Sequence, residues 1–265
     1  MNSNMKKIGL VAAAAMLLTT GCIARGRMQR DKGPRVEQTR EVAAYTAIST
    51  SGGVDVVFSD DLKAGQIVVV ASEKMQDQII TEVVGGELNV RLRHSNRMWI
   101  NRGPMKVVVP NTGTITRLRA SGGSDIFADQ VMLNGSSLEI GCSGGSDFKG
   151  KLTVDRLDVN CSGGSDFKGE VIAQTCGLSA SGGSDLALSG SAKECKVSIS
   201  GGSDMDAKRF EVGDYKLSAS GGSDATVLCT GYLTASASGG SDVRYAGDCQ
   251  TTISDDISSS VKRRH

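Results

Sequence analysis

The chain has 265 residues, of which 39% are hydrophobic, so it can build a hydrophobic core and is not disordered by composition. Its 34 glycines, 3 prolines and 4% aromatic residues indicate many tight turns and small core side chains, and argue against a helical bundle. The formal net charge of +1 gives no global field that would attract nucleic acid, so we expect no nucleic-acid partner.

Residues 1–21 have the pattern of a secretory signal. Lys6 and Lys7 precede an uncharged, largely apolar run from Ile8 to Leu18, and small residues lead to Cys22. The run is shorter than the roughly 20 residues that a membrane-spanning helix needs. The arrangement resembles a bacterial lipoprotein signal, in which cleavage leaves Cys22 as the lipid-modified N-terminus. The alternative is an ordinary signal peptide cut nearby.

Residues 22–41 are predicted to form a tether. Between Ile23 and Arg40 the basic residues outnumber the acidic ones, which are Asp31 and Glu37. A solvated spacer explains this composition, and a basic linker beside a lipid anchor could also be attracted to anionic headgroups. We therefore expect a bacterial cell-envelope protein that contacts the membrane through its lipid anchor, most simply at the outer membrane.

One pentapeptide, Ser-Gly-Gly-Ser-Asp, occurs seven times at nearly constant spacing. Successive aspartates are separated by about 20 residues, a fixed period that is typical of stacked structural units. The first interval is the longest and the last is the shortest. A related sequence, Ser-Gly-Gly-Val-Asp at positions 51–55, precedes the first copy at positions 121–125. The repeated aspartates are Asp125, Asp147, Asp166, Asp185, Asp204, Asp224 and Asp242.

Apolar residues alternate with polar ones ahead of each corner. They stand nine, seven and five residues before the aspartate, as in Leu157, Val159 and Cys161, and another follows the aspartate, as in Phe167. Such alternation predicts half-buried β-strands, here three short ones per unit. Because one unit of about 19 residues cannot enclose a core, the units must stack. We predict an all-β parallel β-helix (β-solenoid) over residues 42–262, with divergent N-terminal coils (42–116) and the repeat array (117–254).

The corner itself has a local explanation. Glycine accepts the positive φ that a tight bend needs, and serine and aspartate oxygens can close the bend on nearby backbone N–H groups. Stacking at about 4.8 Å would place the seven aspartates in an exposed column, where neighbouring carboxylates repel by about 1 kcal/mol in water. Backbone and serine donors, hydration or a bound cation could offset that repulsion.

Calcium is the sharpest chemical alternative for this column. Tandem glycine-rich turns bind calcium between coils, but this chain has one such turn per repeat and none halfway. We therefore favour structural turns, with no cofactor and with calcium as an alternative. Recognition of a glycan by the exposed serine and aspartate ladder is a further hypothesis, which an absence of exposed aromatic residues from the repeat would weaken.

The cysteines other than Cys22 fall into two matched pairs and two residues at different offsets. Cys142 and Cys161 share one inward position, and Cys176 and Cys195 share another. We expect buried thiols, because parallel Cβ vectors make poor disulfide geometry. Without a Cys-x-x-Cys motif or a recognisable nucleophile–base pair, the sequence predicts neither a zinc site nor an enzyme.

One segment outside the array stands out, residues 94–103 (HSNRMWINRG). It holds Trp99, the only tryptophan, with Arg97 and Arg102 beside it. Trp and Arg are frequent contact residues at interfaces, so these three are candidates for partner contact. The alternative is that Trp99 packs over the first coil.

Several segments together resemble the head GIN domain family of putative auto-transporter adhesins. They are TAISTSGGVD at 46–55, the strand-like segment 65–93 with its GGELNV turn, MKVVVP at 105–110, and the SGGSD array. The resemblance implies a right-handed parallel β-helix in exported, often lipid-anchored envelope proteins, and carries no established activity.

We therefore predict a non-enzymatic, envelope-anchored, adhesin-like binding or structural protein that presents a repetitive serine and aspartate ladder to a glycan or an envelope protein. The alternatives are a calcium-stabilised solenoid and, more weakly, a polysaccharide-processing β-helix enzyme. The uniform array argues against the enzyme, since a cleft would interrupt the ladder.

Overall fold

The computed structural model describes residues 29–30, 33–93, 99–100 and 103–264. The predicted signal segment with Cys22, and also Arg97 and Arg102, lie outside the described residues. In the part that is described, no helix is long and apolar enough to cross a membrane.

Residues 33–110, here called the N-terminal region, mix parallel and antiparallel strands. With the strands numbered in chain order, as given at the end of this paragraph, three pairs are antiparallel: β2 with β5, β5 with β9, and β6 with β7. Two pairs are parallel: β3 with β7 and β4 with β9. The segment predicted as divergent coils thus contains both kinds of pairing. The elements up to this point are β1 (Gln29–Arg30), β2 (Arg35–Glu41), β3 (Ala47–Ser51), β4 (Asp55–Ser59), β5 (Gln66–Ser72), α1 (Glu73–Gln76), β6 (Ile79–Val84), β7 (Glu87–Leu92), β8 (Trp99–Ile100) and β9 (Lys106–Pro110).

The rest of the chain is a stack of parallel strands, here called the array. Every neighbouring pair in it is parallel and joined along its length. The predicted β-solenoid with coils of about 19 residues is confirmed. Its strands are β10 (Arg117–Ser121), β11 (Ile126–Ser143), β12 (Phe148–Ser162), β13 (Phe167–Ser181), β14 (Leu186–Ser200), β15 (Asp204–Ser220), β16 (Asp224–Ser238), β17 (Asp242–Ala246), β18 (Gln250–Asp255) and β19 (Ser260–Arg263).

Irregular repeat lengths are absorbed by local shifts in register. Between β11 and β12, Ala128 faces Gly150 and Met132 faces Lys151, so the residues between Ala128 and Met132 bulge out of the longest repeat. A single extra residue occupies β15 opposite β14, in the repeat that runs from Asp204 to Asp224. After each bulge the strands return to register, and every corner therefore still stacks on the one before.

The divergent Ser-Gly-Gly-Val-Asp sequence forms the corner beneath the first repeat, although the two lie far apart along the chain. Strand β10 pairs in register with β3, from Arg117 opposite Ala47 to Ser121 opposite Ser51. The backbone N–H of Val54 donates to Ser124 Oγ at 3.0 Å. The array thus begins on a coil supplied by the N-terminal region.

The predicted inward positions are buried throughout the array. Leu157, Val159 and Cys161 are at most 3% exposed, and the equivalent residues of the other coils are also buried. Strand assignment differs from the prediction, because each coil forms one long strand whose alternation breaks only at an outward pair such as residues 155–156 and at the corner. Hydrogen bonding to the next coil continues through the bends, which joins the three predicted strands into one.

The structure adds a further inward position, three residues after each aspartate from Asp125 to Asp224, to those predicted from the sequence. It is glycine in two coils, where the rings of Phe148 and Phe167 stack with centroids 5.3 Å apart. A Cβ on Gly150 would lie 2.6 Å from the Phe148 ring, and one on Gly169 would lie 2.6 Å from the Phe167 ring. The glycines therefore leave the space that the two rings fill.

The predicted tether is too long at its C-terminal end. Residues Arg35–Glu41 form β2, which pairs with β5 over its whole length. Arg40 donates to Ile79 O and to Gln76 O, both at 2.7 Å, and to Thr81 Oγ1 at 3.1 Å. These acceptors explain how a basic, polar segment with a weak strand signal becomes part of the fold.

Candidate functional site

The corner glycines adopt the backbone conformation that the sequence predicts. Gly163 and Gly164 have φ of 69° and 74°. A Cβ on Gly163 would also lie 3.4 Å from the backbone nitrogen of Gly144 in the preceding coil. The first glycine thus serves both the bend and the close approach between coils, while the second serves the bend alone.

The second serine of each pentapeptide points inward and forms what we call the serine column. All seven side chains are completely buried: Ser124, Ser146, Ser165, Ser184, Ser203, Ser223 and Ser241. Each Oγ accepts the backbone N–H of the equivalent residue one coil earlier, as in Ser146 N–H to Ser165 Oγ at 3.2 Å. The expectation that this serine is displayed outside is therefore wrong, because the hydroxyl lies in the core and joins neighbouring coils. Ser223 Oγ also donates to Ser220 O of its own bend at 2.9 Å, so the predicted closure of the bend occurs there in addition.

The seven aspartates form the predicted column on the outside, here called the aspartate column. Each side chain is exposed or half-buried. The backbone N–H of Asp166 donates to Asp147 Oδ1 at 3.0 Å, and equivalent bonds run from Asp55 to Asp185 and from Asp204 to Asp242. The carboxylates thus accept hydrogen bonds from backbone N–H groups of the next coil rather than from donors in the same bend.

Like charges affect the ionisation of this column. Partial burial raises the pKa of Asp166, its bond from the Asp185 backbone lowers it, and the neighbouring carboxylates of Asp147 and Asp185 raise it. Burial likewise raises the pKa of Asp55, the first member of the ladder. At these two aspartates burial, with a smaller contribution from the like charges, outweighs the bond from the backbone N–H.

Metal ligands do not converge in the described ranges. No group of three or more His, Cys, Asp or Glu side chains there could hold a metal ion. The aspartates instead follow one another singly along the stack, and most have an oxygen already bonded to a backbone N–H. Calcium on the aspartate column stays an untested alternative.

Trp99, the third residue of the predicted contact group, is placed only by its backbone. It pairs with Gln29 in a two-stranded parallel ladder, β1 with β8. The hypothesis that Trp99, Arg97 and Arg102 contact a partner stays a prediction.

The cysteines form three neighbouring pairs. Cys142 faces Cys161, and Cys176 faces Cys195, across adjacent strands. A thiol hydrogen bond and burial raise the pKa of Cys142 and of Cys195. Burial also raises the pKa of Cys229 to about 11, and its thiol contacts that of Cys249, a pairing that their unequal offsets concealed. All six in the described ranges are free thiols, and five are buried, as predicted, whereas Cys249 is half-buried. The raised pKa makes Cys142, Cys195 and Cys229 poor nucleophiles at neutral pH.

An open depression of about 870 Å³, here called the groove, crosses five coils on the outward face that precedes the corners. Three rows of side chains line it, one row at the outward pair and two on the strand. The first row is Arg156, Thr175, Glu194, Asp214 and Tyr232, the second is Asp158, Gly177, Lys196, Lys216 and Thr234, and the third is Asn160, Ser179 and Ser198. The serine row continues past the groove, because Ser198 pairs in register with Ser218, and Ser218 pairs with Ser236.

Two features give the groove its shape. Arg156 Nε donates to Asp158 Oδ2 at 2.7 Å, and this ion pair lies beside Gly177, where a Cβ would be 2.6 Å from Asp158 Oδ1. At the far end the ring of Tyr232 is 42% exposed, and its backbone N–H donates to Asp214 Oδ1 at 2.9 Å. The groove therefore runs from a salt bridge to an aromatic side chain, with hydroxyl and charged groups between.

Tyr232 contradicts the expectation that the repeat lacks exposed aromatic residues. It stands ten residues before Asp242, one position out of phase with the inward Leu233. The alternation that predicted the core thus also predicts Tyr232 on the surface, and the repeat spacing could have found it.

The family comparison identifies the chain. A family model described as "Putative auto-transporter adhesin, head GIN domain" matches residues 44–249. The chain belongs to this family. Membership associates the head GIN domain protein with auto-transporter adhesins and, through them, with the cell envelope. No match was found among curated proteins.

Solved structures share its fold. A putative adhesin from Parabacteroides merdae superposes with a TM-score of 0.80 at 19% identity, covering 90% of this chain and 99% of that one. A putative lipid binding protein from Parabacteroides distasonis gives 0.81 at 17% identity, covering 90% and 100%. A putative adhesin from the same organism gives 0.79 at 21% identity, covering 89% and 99%. At these identities the likeness extends to the solenoid fold of the head GIN domain protein and not to its ligand.

Proposed function

We propose that the head GIN domain protein is a non-enzymatic binding protein of the cell envelope that holds a polar polysaccharide in the groove. The observation that carries this proposal is the open groove across five coils, with exposed hydroxyl, charged and aromatic side chains in registered rows. The adhesin names within the family support such a role.

The geometry of the rows suits a long carbohydrate. Equivalent side chains repeat every coil, at about 4.8 Å, which is close to the length that one pyranose ring adds to an extended polysaccharide. Ser179 and Ser198 offer hydroxyl groups at that repeat, and Glu194 and Lys196 offer an acceptor and donors beside them. The exposed ring of Tyr232 provides a flat apolar surface for one sugar face.

Groove residues are better candidates for ligand contact than the corner ladder. The serine column is buried, and most members of the aspartate column already accept a backbone N–H. In the groove, Ser198 and Lys196 are exposed. We therefore assign the serine and aspartate ladder, which the sequence predicts as the binding surface, to the stacking of the coils. Ligand binding is assigned to the adjacent face.

Attachment to the membrane belongs to the same proposal. We propose that cleavage before Cys22 leaves a lipid-modified N-terminus, that the residues between it and β2 form the tether, and that the outer membrane is the site of attachment. The solenoid would then present the groove to polymers of the envelope.

Glycan-array binding of the full chain tests the proposal. We expect retention of a polysaccharide, at least tenfold weaker retention by Tyr232→Ala and by the double variant Ser179→Ala with Ser198→Ala, and unchanged retention by the matched corner variant Asp166→Asn with Asp185→Asn. Loss in the corner variant alone would return the binding site to the aspartate column. Retention of no glycan by the wild-type chain would contradict the proposal.

A further inference from the structure

A second depression, of about 200 Å³, lies on the outward face that follows the corners, across the corner sequence from the groove. We call it the basic depression. It involves strands β11 to β15, and the residues that matter for its chemistry are Lys151, Lys168, Glu170, Ala187, Ser189 and Arg209.

Its shape comes from small residues on one coil. Lys168 and Glu170 of β13 pair in register with Ala187 and Ser189 of β14, and Ser189 pairs in turn with Arg209 of β15. Long charged side chains therefore flank a coil that carries only a methyl and a hydroxymethyl group. The result is a recess bordered by the side chains of its neighbours.

The charges around the recess are unbalanced. Two of the carboxylates at its edge are already paired, Asp129 with Lys149 at 2.6 Å and Asp206 with Lys208 at 2.8 Å. Lys151, Lys168 and Arg209 form no ion pair with any residue that the structure describes. Glu170, which lies directly opposite Lys151 on the adjacent strand, is the lining carboxylate within the described ranges that forms no ion pair, and Arg209 also attracts the paired carboxylate of Asp206. Three cations against one carboxylate leave an excess of two positive charges.

Stacking makes that excess costly in the free protein. Lys149 and Lys168 face each other on adjacent strands, where like charges directly opposite are destabilising. Only Lys149 has an acidic partner among the described residues. A bound anion would relieve the repulsion.

We propose that the basic depression binds a phosphate group carried by a headgroup-sized molecule. The guanidinium of Arg209 supplies a planar pair of donors that matches phosphate oxygens, Lys168 and Lys151 supply point charges, and Ser189 supplies a hydroxyl donor. A volume near 200 Å³ admits a phosphate with about one sugar ring and excludes a larger ligand from full enclosure. This site is independent of the polysaccharide proposed for the groove.

The test uses the purified full chain and two sources of the same chemistry. Glucose 6-phosphate is titrated by calorimetry with glucose as the neutral probe, and co-sedimentation measures binding to vesicles that contain phosphatidic acid. The double variant Lys168→Gln with Arg209→Gln removes two charges from the site. The double variant Lys63→Gln with Lys74→Gln removes two charges from exposed lysines of the N-terminal region, outside both the groove and the basic depression, and is the matched control.

We expect glucose 6-phosphate to bind saturably, glucose not to bind, and the site variant to weaken binding by about tenfold or more, as loss of charge-assisted hydrogen bonds would. The control variant should bind like the wild-type chain. Vesicle binding lost in the site variant, without binding of glucose 6-phosphate, supports a lipid headgroup as the source. Equal weakening by the two variants, or no binding to either probe, would overturn the proposal, whatever the glycan array shows for the groove.

Discussion

The array and the N-terminal region obtain stability in different ways. In the array each coil repeats the contacts of the coil before it, through the serine column, the aspartate column and registered apolar side chains. In the N-terminal region single residues make contacts that occur once. Gln76, for example, donates through Nε2 to Val36 O at 2.9 Å and to Val69 O at 3.1 Å, and so joins two strands to α1.

The difference predicts how much stability a substitution should cost in each of the two regions. A repeated contact has equivalents in the neighbouring coils, so losing one weakens a stack that the others still hold together. A unique contact has no equivalent, but its loss is confined to the few strands that it joins. The sharpest tests therefore compare matched substitutions in the two regions.

The largest effect is expected inside the array, at the stacked rings. Phe167→Ala removes a ring that packs on Phe148 and leaves a cavity beside Gly169, and we expect the free energy of unfolding to fall by about 4 kcal/mol. Denaturant unfolding measures it. Ile172→Ala in the same coil, at a side chain that is 52% exposed, is the control and should change little. A loss below about 1 kcal/mol for Phe167→Ala would mean that the coil collapses around the missing ring.

A smaller loss is expected from the serine column. Ser165→Ala leaves the buried N–H of Ser146 without its acceptor, and we expect a loss of about 2 kcal/mol. Ser162→Ala, at the first and exposed serine of the same pentapeptide, is the matched control. Equal melting temperatures for the two variants would show that the buried hydroxyl adds nothing to the stacking of coils.

In the N-terminal region, Arg40→Ala should cost about 1.5 kcal/mol, since it removes bonds to two carbonyls and one hydroxyl from a partly exposed cation. Hydrogen exchange should show faster exchange confined to β2, β5 and β6. Glu41→Ala is the control, since it changes the adjacent residue of β2, whose side chain accepts a solvent-exposed bond from Gln66 Nε2 at 2.9 Å. Faster exchange throughout the array would contradict the separation of the two regions.

Two substitutions in the aspartate column can separate the effect of charge on stability from the effect of hydrogen bonding. Asp166→Asn keeps an oxygen acceptor for the Asp185 N–H and removes a charge that its neighbours oppose, so the melting temperature should stay equal or rise slightly. Asp166→Ala loses the acceptor and should be destabilised by about 1 kcal/mol. A lower melting temperature for the Asn variant than for the Ala variant would show that the charge itself stabilises the stack.

The same residue predicts a dependence on pH. Because the pKa of Asp166 is raised by folding, its favourable contribution is present below its pKa in the unfolded chain, about 4, and is lost as the pH rises through its folded value. The difference in melting temperature between wild type and Asp166→Asn, measured from pH 3 to 7, isolates this contribution from that of Asp256, whose pKa is lowered to about 2. A difference that is constant with pH would refute the assignment.

The smallest expected effect is that of chelation. Since backbone N–H groups already meet most of the column and no cluster of three ligands exists in the described ranges, we expect EDTA to leave the melting temperature unchanged. Differential scanning calorimetry with and without added calcium measures it. A shift of several degrees, abolished by Asp166→Asn with Asp185→Asn, would establish the calcium-stabilised solenoid instead.

Sequence alternation predicted the fold and core of the array well, and it failed where contacts join distant parts of the chain. Residues such as Val159 and Leu178 are placed by period and strand alternation alone. Sequence alone does not reveal the role of Arg40, because its acceptors lie near residue 80. The residues of β2 have the composition of a tether, because their polar side chains carry little strand signal. The position of Tyr232, directly before the inward Leu233, does predict an outward side chain.

The sequence by itself determined the period, the glycine bends and which residues face the core, because these depend on spacing and on backbone conformation. Only the tertiary structure decided where the serine and aspartate oxygens bond, which cysteines become neighbours and which outward side chains gather into the groove and the basic depression. Those outcomes depend on the register between coils. Register is a relation between coils, and it places each pentapeptide directly on the pentapeptide of the next coil. The pentapeptides therefore hold the coils together, and the faces on either side of them carry the proposed binding sites.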